Sequence, residues 1–204
     1  MPNDILESVK DFNTITIFRH VFADMDAIGS QFGLKYYLES AYPNKKIYCL
    51  GNDCPVSQRN NVYMDVVDDE VVASSLAIVL DTSNAARIDD DRYQLAKKSI
   101  RIDHHVQVET ICDEEWIDDK ASATCELLAL YLQEKKANIP LQSSLMLYLG
   151  LTADNIRFTT NNVRPATFDA AKYLFEQGVD VTKVEQLNLS LIHISEPTRQ
   201  EAIS

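Results

Sequence analysis

Leu76-Ala77-Ile78-Val79-Leu80, stopping abruptly at Asp81, is the stretch that decides how the rest of the chain is read. Five consecutive apolar residues show no alternation between an inward and an outward side. Such a run suits a strand covered on both faces, as in a parallel sheet. Similar segments flank it. Thr14-Ile15-Thr16-Ile17-Phe18 is β-branched and aromatic and runs into Arg19-His20, and Ile100-Arg101-Ile102 stops at Asp103. Another short strand is expected over residues 45–50, closed by the turn signal Gly51-Asn52-Asp53.

Helical patterns lie between and after these strands. Residues 30–40 gather Phe32, Leu34, Tyr37 and Leu38 on one side. Ser122 suits the N-cap of a helix carrying Leu127, Leu128, Tyr131 and Leu132. Pro140 opens a second, through Leu145, Leu147 and Leu149 to about Thr152. A third, over residues 164–177, is expected to turn Phe168, Ala171, Leu174 and Phe175 inward and to stop at Gly178. Strands alternating with helices imply an α/β fold, a mostly parallel sheet flanked by helices.

Composition narrows the function. A chain of 204 residues fits one domain, or one domain and part of another, and 46% hydrophobic content can fill a core. A net charge of −12 argues against long duplex nucleic acid as partner, since that footprint needs a basic face. It leaves room for a small phosphorylated substrate, because divalent cations invert the local sign of an acidic pocket. No apolar run is long enough to span a membrane. Met1-Pro2-Asn3-Asp4 lacks the basic start and apolar stretch of a secretory signal, so a cytoplasmic protein is expected. Cys49, Cys54, Cys112 and Cys125 show no CxxC spacing and read as reduced, structural thiols.

The end of the chain breaks the pattern. Leu189-Ser190-Leu191-Ile192-His193-Ile194-Ser195-Glu196-Pro197-Thr198-Arg199 reads as the in-frame translation of a transposase adapter used in sequencing libraries. Residues 189–204 are therefore expected to be an assembly scar and are set apart from fold reasoning.

His20, Asp81 and Asp103 each lie immediately after an expected strand, and in open α/β sheets the ligand crevice lies outside the carboxyl ends of the strands. Four segments concentrate oxygen and imidazole donors there. They are His20 to Asp26 with Asp24 between, Asp81-Thr82-Ser83-Asn84 with Arg87-Ile88, Asp103-His104-His105, and Gly150 to Asp154 followed by Arg157-Phe158. Imidazole and carboxylate without thiolate suit Mn²⁺, Fe²⁺, Co²⁺ or Zn²⁺. Several carboxylates fit a pair of ions about 3.5–4 Å apart, which implies hydrolysis at phosphorus by in-line attack. Taken singly, Asp24 or Asp26 also suits a turn or N-cap, Asp81 a cap, the two histidines a solvated loop, and Asp154 a structural helix end. Their combination is what carries weight.

These segments resemble, in order and spacing, the motifs of the DHH phosphoesterase superfamily over nearly all of residues 10–188. Asp103-His104-His105 is the most specific of them. Asp81-Thr82-Ser83-Asn84 with Arg87-Ile88 is most similar to the branch of small oligoribonucleases and 3′-phosphoadenosine-5′-phosphate phosphatases. The resemblance implies that residues 1–188 form the catalytic domain. It implies His20, Asp24 and Asp81 around one divalent ion, and Asp26, Asp81, His104 and Asp154 around another, with Asp81 bridging and Mn²⁺ the metal. Asp103 would orient His104 or add to metal binding, His105 would sit near the scissile phosphate, and Arg157 would be a second phosphate contact. The implied substrates are short RNA or a nucleoside bisphosphate. Cyclic dinucleotides, longer single strands and a non-catalytic regulatory role are the competing readings. Two departures are Ala23 where the family usually has proline, and Asn155-Ile156 where it usually has Thr-Gly. Members also carry a second, C-terminal domain with a glycine- and histidine-rich substrate-gripping motif, which does not occur in this chain. The oligomeric state is not legible in the sequence, and a homodimer of the full-length protein stays open.

Overall fold

The structure, a computed structural model, describes residues 4–182 and 184. The adapter-like stretch 189–204 lies outside the described residues. The elements run α1 (Ile5–Lys10), β1 (Thr14–Phe18), α2 (Met25–Ala41), β2 (Lys46–Cys49), α3 (Pro55–Arg59), α4 (Asp69–Ala73), β3 (Leu76–Leu80), β4 (Lys98–Asp103), β5 (Glu114–Ile117), α5 (Thr124–Glu134), α6 (Leu141–Asp154) and α7 (Pro165–Glu176). Two 3₁₀ turns, Ala85–Arg87 and Asp91–Leu95, lie between β3 and β4.

All five strands are parallel, in the order β2-β1-β3-β4-β5. The α/β expectation therefore holds. Side chains divide by the two-residue period of the strands. Ile15, Ile17, Leu76, Ile78, Leu80, Ile100 and Ile102 enter the larger core with residues of α2, α5, α6 and α7. Phe18, Ala77 and Val79 enter a smaller one with Leu50, Val72, Ile88 and Tyr93. Every residue of β3 is fully buried, as its unbroken apolar run required. Fully burying each of its larger aliphatic side chains is worth about 1.5–3 kcal/mol. No described helix is long and apolar enough to cross a membrane.

Several boundaries differ from the expectation. Helix α2 starts at Met25, five residues before the apolar stripe is legible, because Asp24 caps it by accepting the Ala27 N–H at 3.0 Å. Ser122 is not the N-cap of α5. Ala123 holds that position, and the Ser122 N–H and hydroxyl both donate to Glu126 Oε2. In α7 the buried residues are Thr167, Ala170, Ala171, Tyr173 and Leu174. Phe168 and Phe175 flank them, 55% and 40% exposed, with Phe168 stacked on Phe158 and Phe175 against Tyr148.

The strand order reverses at β1, which has β2 on one side and β3 on the other, and such a switch point opens a crevice at the carboxyl ends. The register aligns Phe18 with Val79 and Val79 with Arg101. Two residues beyond each of these stand His20, Asp81 and Asp103, so three neighbouring strands deliver them to one row.

Candidate metal centre

Arg19 is buried beside the switch point, where its Nη1 donates to His20 O and to Asp89 Oδ2, each at 2.8 Å. This fixes the backbone that presents His20. The His20 Nδ1 lies 2.7 Å from Val21 O, and a carbonyl can only accept, so Nδ1 carries the proton. The other ring nitrogen, Nε2, faces Asp81 Oδ2 at 3.4 Å and Asp24 Oδ2 at 3.8 Å. Asp24 thus fills both the capping and the ligand reading, one oxygen on the helix and the other toward the imidazole.

The second group is assembled where α2 crosses α6. A Cβ on Gly29 would lie 2.5 Å from Met146 O, so only glycine permits this approach of the two backbones. Gly150 faces Met25 and Asp26 in the same way, and the Ser143 hydroxyl donates to Gly33 O at 2.7 Å further along. The crossing sets Asp26, in the first turn of α2, near Asp154, at the end of α6. Asp26 also accepts the Thr124 and Cys125 N–H groups, at 2.6 and 2.9 Å, and so caps α5 from a distant helix. His104 Nδ1 points to Ala121 O at 3.3 Å. Its Nε2 faces Asp81 Oδ1, Asp154 Oδ2 and Asp26 Oδ2 at 3.4, 3.6 and 3.9 Å.

Asp81 stands between the groups, with Oδ2 toward His20 and Oδ1 toward His104. The Thr124 hydroxyl also donates to Oδ1, at 3.1 Å. Asp81 has φ 56°, an uncommon left-handed backbone for a residue other than glycine, and strain of this kind persists where surrounding structure enforces it.

The electrostatics call for a cation. Burial alone would lower His20 and His104, yet the facing carboxylates win and raise both to about 10. Burial, with the Asp81 charge next, pushes Asp26 well above the usual carboxylate range, and burial likewise raises Asp154. Burial would also raise Asp81, but the two imidazoles hold it below that range. Each Nε2 therefore faces two or three carboxylates that only a proton or a metal ion can reconcile with it. The donors fit an ion. Ligands at about 2.1 Å from a common metal lie roughly 3.0–3.4 Å apart. The imidazole–carboxylate separations of 3.4–3.9 Å need shifts of only tenths of an ångström. Cys125 is near, its Sγ 3.6 Å from Asp26 O, but burial raises its thiol far above the ordinary range and keeps it protonated. The donor set is thus nitrogen and oxygen only.

The structure corrects one pairing. Asp103 does not orient His104. Its Oδ1 lies 2.8 Å from His105 Nδ1 and accepts the His105 N–H at 3.1 Å, while Oδ2 takes Arg101 Nη2 at 2.6 Å. Ala121 O serves His104 instead. His105 Nδ1 also lies 3.6 Å from Asp81 Oδ1, and its side chain is 39% exposed at the rim. Arg157 is exposed in a run of three left-handed residues, Ile156 to Phe158, just past Asp154. Sequence reasoning missed Arg101, Thr124 and the carbonyls of Val21 and Ala121. Arg101 was findable, because it shares a strand face with Asp103 two residues on. Carbonyls carry no sequence signal.

A family described as "DHH family, N-terminal domain" matches residues 14–152. The bifunctional oligoribonuclease and PAP phosphatase NrnA of Bacillus subtilis is 35% identical over 180 residues, 86% of this chain and 57% of that protein. The uncharacterized protein MG371 of Mycoplasma genitalium is 34% identical over 181 residues, 87% of this chain and 56% of that protein. The crystal structure of an exopolyphosphatase-related protein from Bacteroides fragilis shares the fold, with a TM-score of 0.77 at 23% identity, over 90% of this chain and 58% of that one. This chain thus spans little more than half the length of the relatives it matches. With the family match running from β1 into α6, across His20, Asp24, Asp26, Asp81 and His104 and ending two residues before Asp154, the chain belongs to the DHH family.

Proposed function

We propose that this chain is the catalytic part of a phosphoesterase that uses two divalent cations, Mn²⁺ above others, to hydrolyse very short oligoribonucleotides from an end and to dephosphorylate 3′-phosphoadenosine 5′-phosphate. The observation that carries this reading is the division of Asp81, one oxygen toward each of two imidazoles whose free nitrogens converge on it. His20, Asp24 and Asp81 then hold one ion, and Asp26, Asp81, His104 and Asp154 the other. Such a pair, when bound, supplies an activated water and offsets the charge of the phosphoryl oxygens.

The chain's own groups do the rest. The amides of Thr124 and Cys125 hold Asp26 in place, and the Thr124 hydroxyl does the same for Asp81. Burial works to raise Asp103, but His105 and Arg101 outweigh it and keep it ionised. Its carboxylate fixes Nδ1 of His105 and leaves Nε2 to meet the phosphoryl group, donating a hydrogen bond or a proton to the departing oxygen. Arg157 is a second phosphate contact in this reading. The substrate class rests on the 35% identity to an oligoribonuclease and PAP phosphatase and on the acidic character of the chain.

The deciding assay compares Mn²⁺-dependent turnover of a diribonucleotide, 3′-phosphoadenosine 5′-phosphate, a cyclic dinucleotide and long single-stranded DNA. Mononucleotide release from the diribonucleotide is expected to be fastest. No release would sink the reading, and preference for the cyclic dinucleotide would move it to that substrate. A regulatory domain without chemistry is disfavoured by the complete donor set.

A further inference from the structure

A cavity of about 610 Å³ opens beside the segment that carries His20 and Asp24. Its size falls within the range of small-molecule sites, roughly 300–1,000 Å³. Phe22, Ala23, Pro55 and Val56 supply apolar walls, with Asn52 and Arg59 at polar positions. Among the described residues, nothing covers Phe22. Its ring is 95% exposed, and its backbone sits at φ 53°, a region that aromatic residues rarely adopt. Both neighbours are anchored. The Val21 N–H donates to Arg87 O and the Val21 carbonyl accepts from His20 Nδ1, each at 2.7 Å, and Ala23 is buried. The ring is therefore held out from the loop, two residues from His20 and two from Asp24.

From this placement we infer that Phe22 and the cavity form a stacking subsite for the nucleobase next to the phosphoryl group held at the acidic cluster. The inference rests on the phosphoesterase reading and specifies which part of the substrate this chain itself grips. Charge favours a base over a second phosphate. Arg19 in the lining already donates to Asp89, Arg59 donates to Pro55 O, and the lining carries Asp53 and Asp89 as well as the two arginines. A wall without surplus positive charge takes a flat, neutral ring, and every base offers a π-face to an aromatic side chain. Asn52, whose Nδ2 donates to Asp89 Oδ1, and Asp53, whose Oδ1 accepts the Met64 N–H, each bring a further side-chain oxygen to the lining.

The test reads binding rather than turnover. Adenosine 5′-monophosphate and ribose 5-phosphate are titrated by calorimetry in the presence of Mg²⁺, and NMR seeks contacts between Phe22 ring protons and adenine H2 and H8. Adenosine 5′-monophosphate should bind more tightly and show those contacts. Phe22→Ala should weaken it about five- to a hundred-fold while ribose 5-phosphate moves by less than about twofold, and Phe22→Tyr should restore it. The ring leaves no hole in the core, so an unchanged melting curve shows that the variant is folded. Equal affinity for the two ligands, binding of neither, or no loss in Phe22→Ala overturns the assignment. Base stacking without diribonucleotide hydrolysis would leave the subsite standing and remove the hydrolytic reading. Hydrolysis without preference for the base would do the reverse.

Discussion

The two halves of the acidic cluster are built in different ways. Asp26, His104 and Asp154 belong to the packing of the molecule, through the glycine crossing of α2 and α6 and the start of α5. His20 and Asp24 hang from a six-residue link between β1 and α2, and the Asp24 side chain is 56% exposed where that of Asp26 is 1% exposed. One half is positioned by the core, so its geometry is coupled to stability. The other is positioned by a loop beside an open cavity, so it can meet substrate at little structural cost. Asp81 belongs to both, and substitution there should have the largest effect. Losing an outer partner of a metal ligand typically costs 10–100-fold, so removing a shared ligand should cost more. Asp81→Ala is expected to lower metal-dependent turnover by more than about a hundred-fold. Activity within about tenfold of the native chain would dissolve the comparison, because the halves would then not share a ligand.

Next comes the crossing itself. In Gly29→Ala the new methyl meets Met146 O, a backbone atom that cannot swing aside. Overpacking of this kind costs about 1–3 kcal/mol, which in a chain of this length lowers Tm by roughly 2–4 °C per kcal/mol. Prying α2 from α6 should also weaken metal binding by Asp26 and Asp154 more than by His20 and Asp24. Calorimetric melting and a metal titration of the same variant check both parts. A destabilised variant with native affinity for both ions would show that the crossing supports the fold alone.

Protonation offers a third way to separate the halves from the rest of the fold. His20 and His104 are both raised from 6.5 to about 10. Between those values the native chain binds more protons than the unfolded one, so stability falls as pH rises. It is fully present below about pH 6.5 and lost as pH passes through about 10. Divalent ions take the place of those protons, so metal affinity should rise over the same window. In melts from pH 6.5 toward 9, chelator-treated protein should lose Tm and Mn²⁺-loaded protein should lose less. A flat profile for the chelator-treated protein would mean that the carboxylates do not hold protons on the imidazoles.

How much of this was legible in the residues follows the same division. The parallel sheet could be read from Leu76–Leu80 because burial on both faces writes an unbroken apolar run. The row of His20, Asp81 and Asp103 could be read because each stands at a strand's carboxyl end or within two residues of it. Strand β5 could not, since Glu114–Ile117 is a half-buried edge with no alternation to detect. Helix α1 is six residues long, too short for a period to emerge. The inward placing of Phe168 and Phe175 fails because side-chain size does not fix the face: Thr167, Ala170, Ala171, Tyr173 and Leu174 take the buried positions. The partner of Asp103 was assigned to the wrong histidine because neighbours in sequence differ only in rotamer. Which imidazole turns to Asp103 depends on Ala121 O, a backbone atom eighteen residues away from it.

The smallest expected effect gives the sharpest contrast between the halves. Asn caps a helix as well as Asp does, so Asp24→Asn should keep the bond from Ala27 N–H and change stability by less than about 0.5 kcal/mol. It removes the charge facing His20, so metal binding at that half should weaken all the same. In Asp26→Asn the amide must turn an N–H₂ group toward either the Thr124 or the Cys125 N–H, leaving a buried donor without an acceptor. That costs about 1–3 kcal/mol. The same chemical change, two residues apart, should therefore be almost silent in a thermal melt at one position and plain at the other, while both lower metal affinity. Equal losses of stability would mean that the loop half is as tightly built into the core as its neighbour. A neutral Asp26→Asn would mean that relief of the buried charge offsets the lost acceptor of the cap on α5.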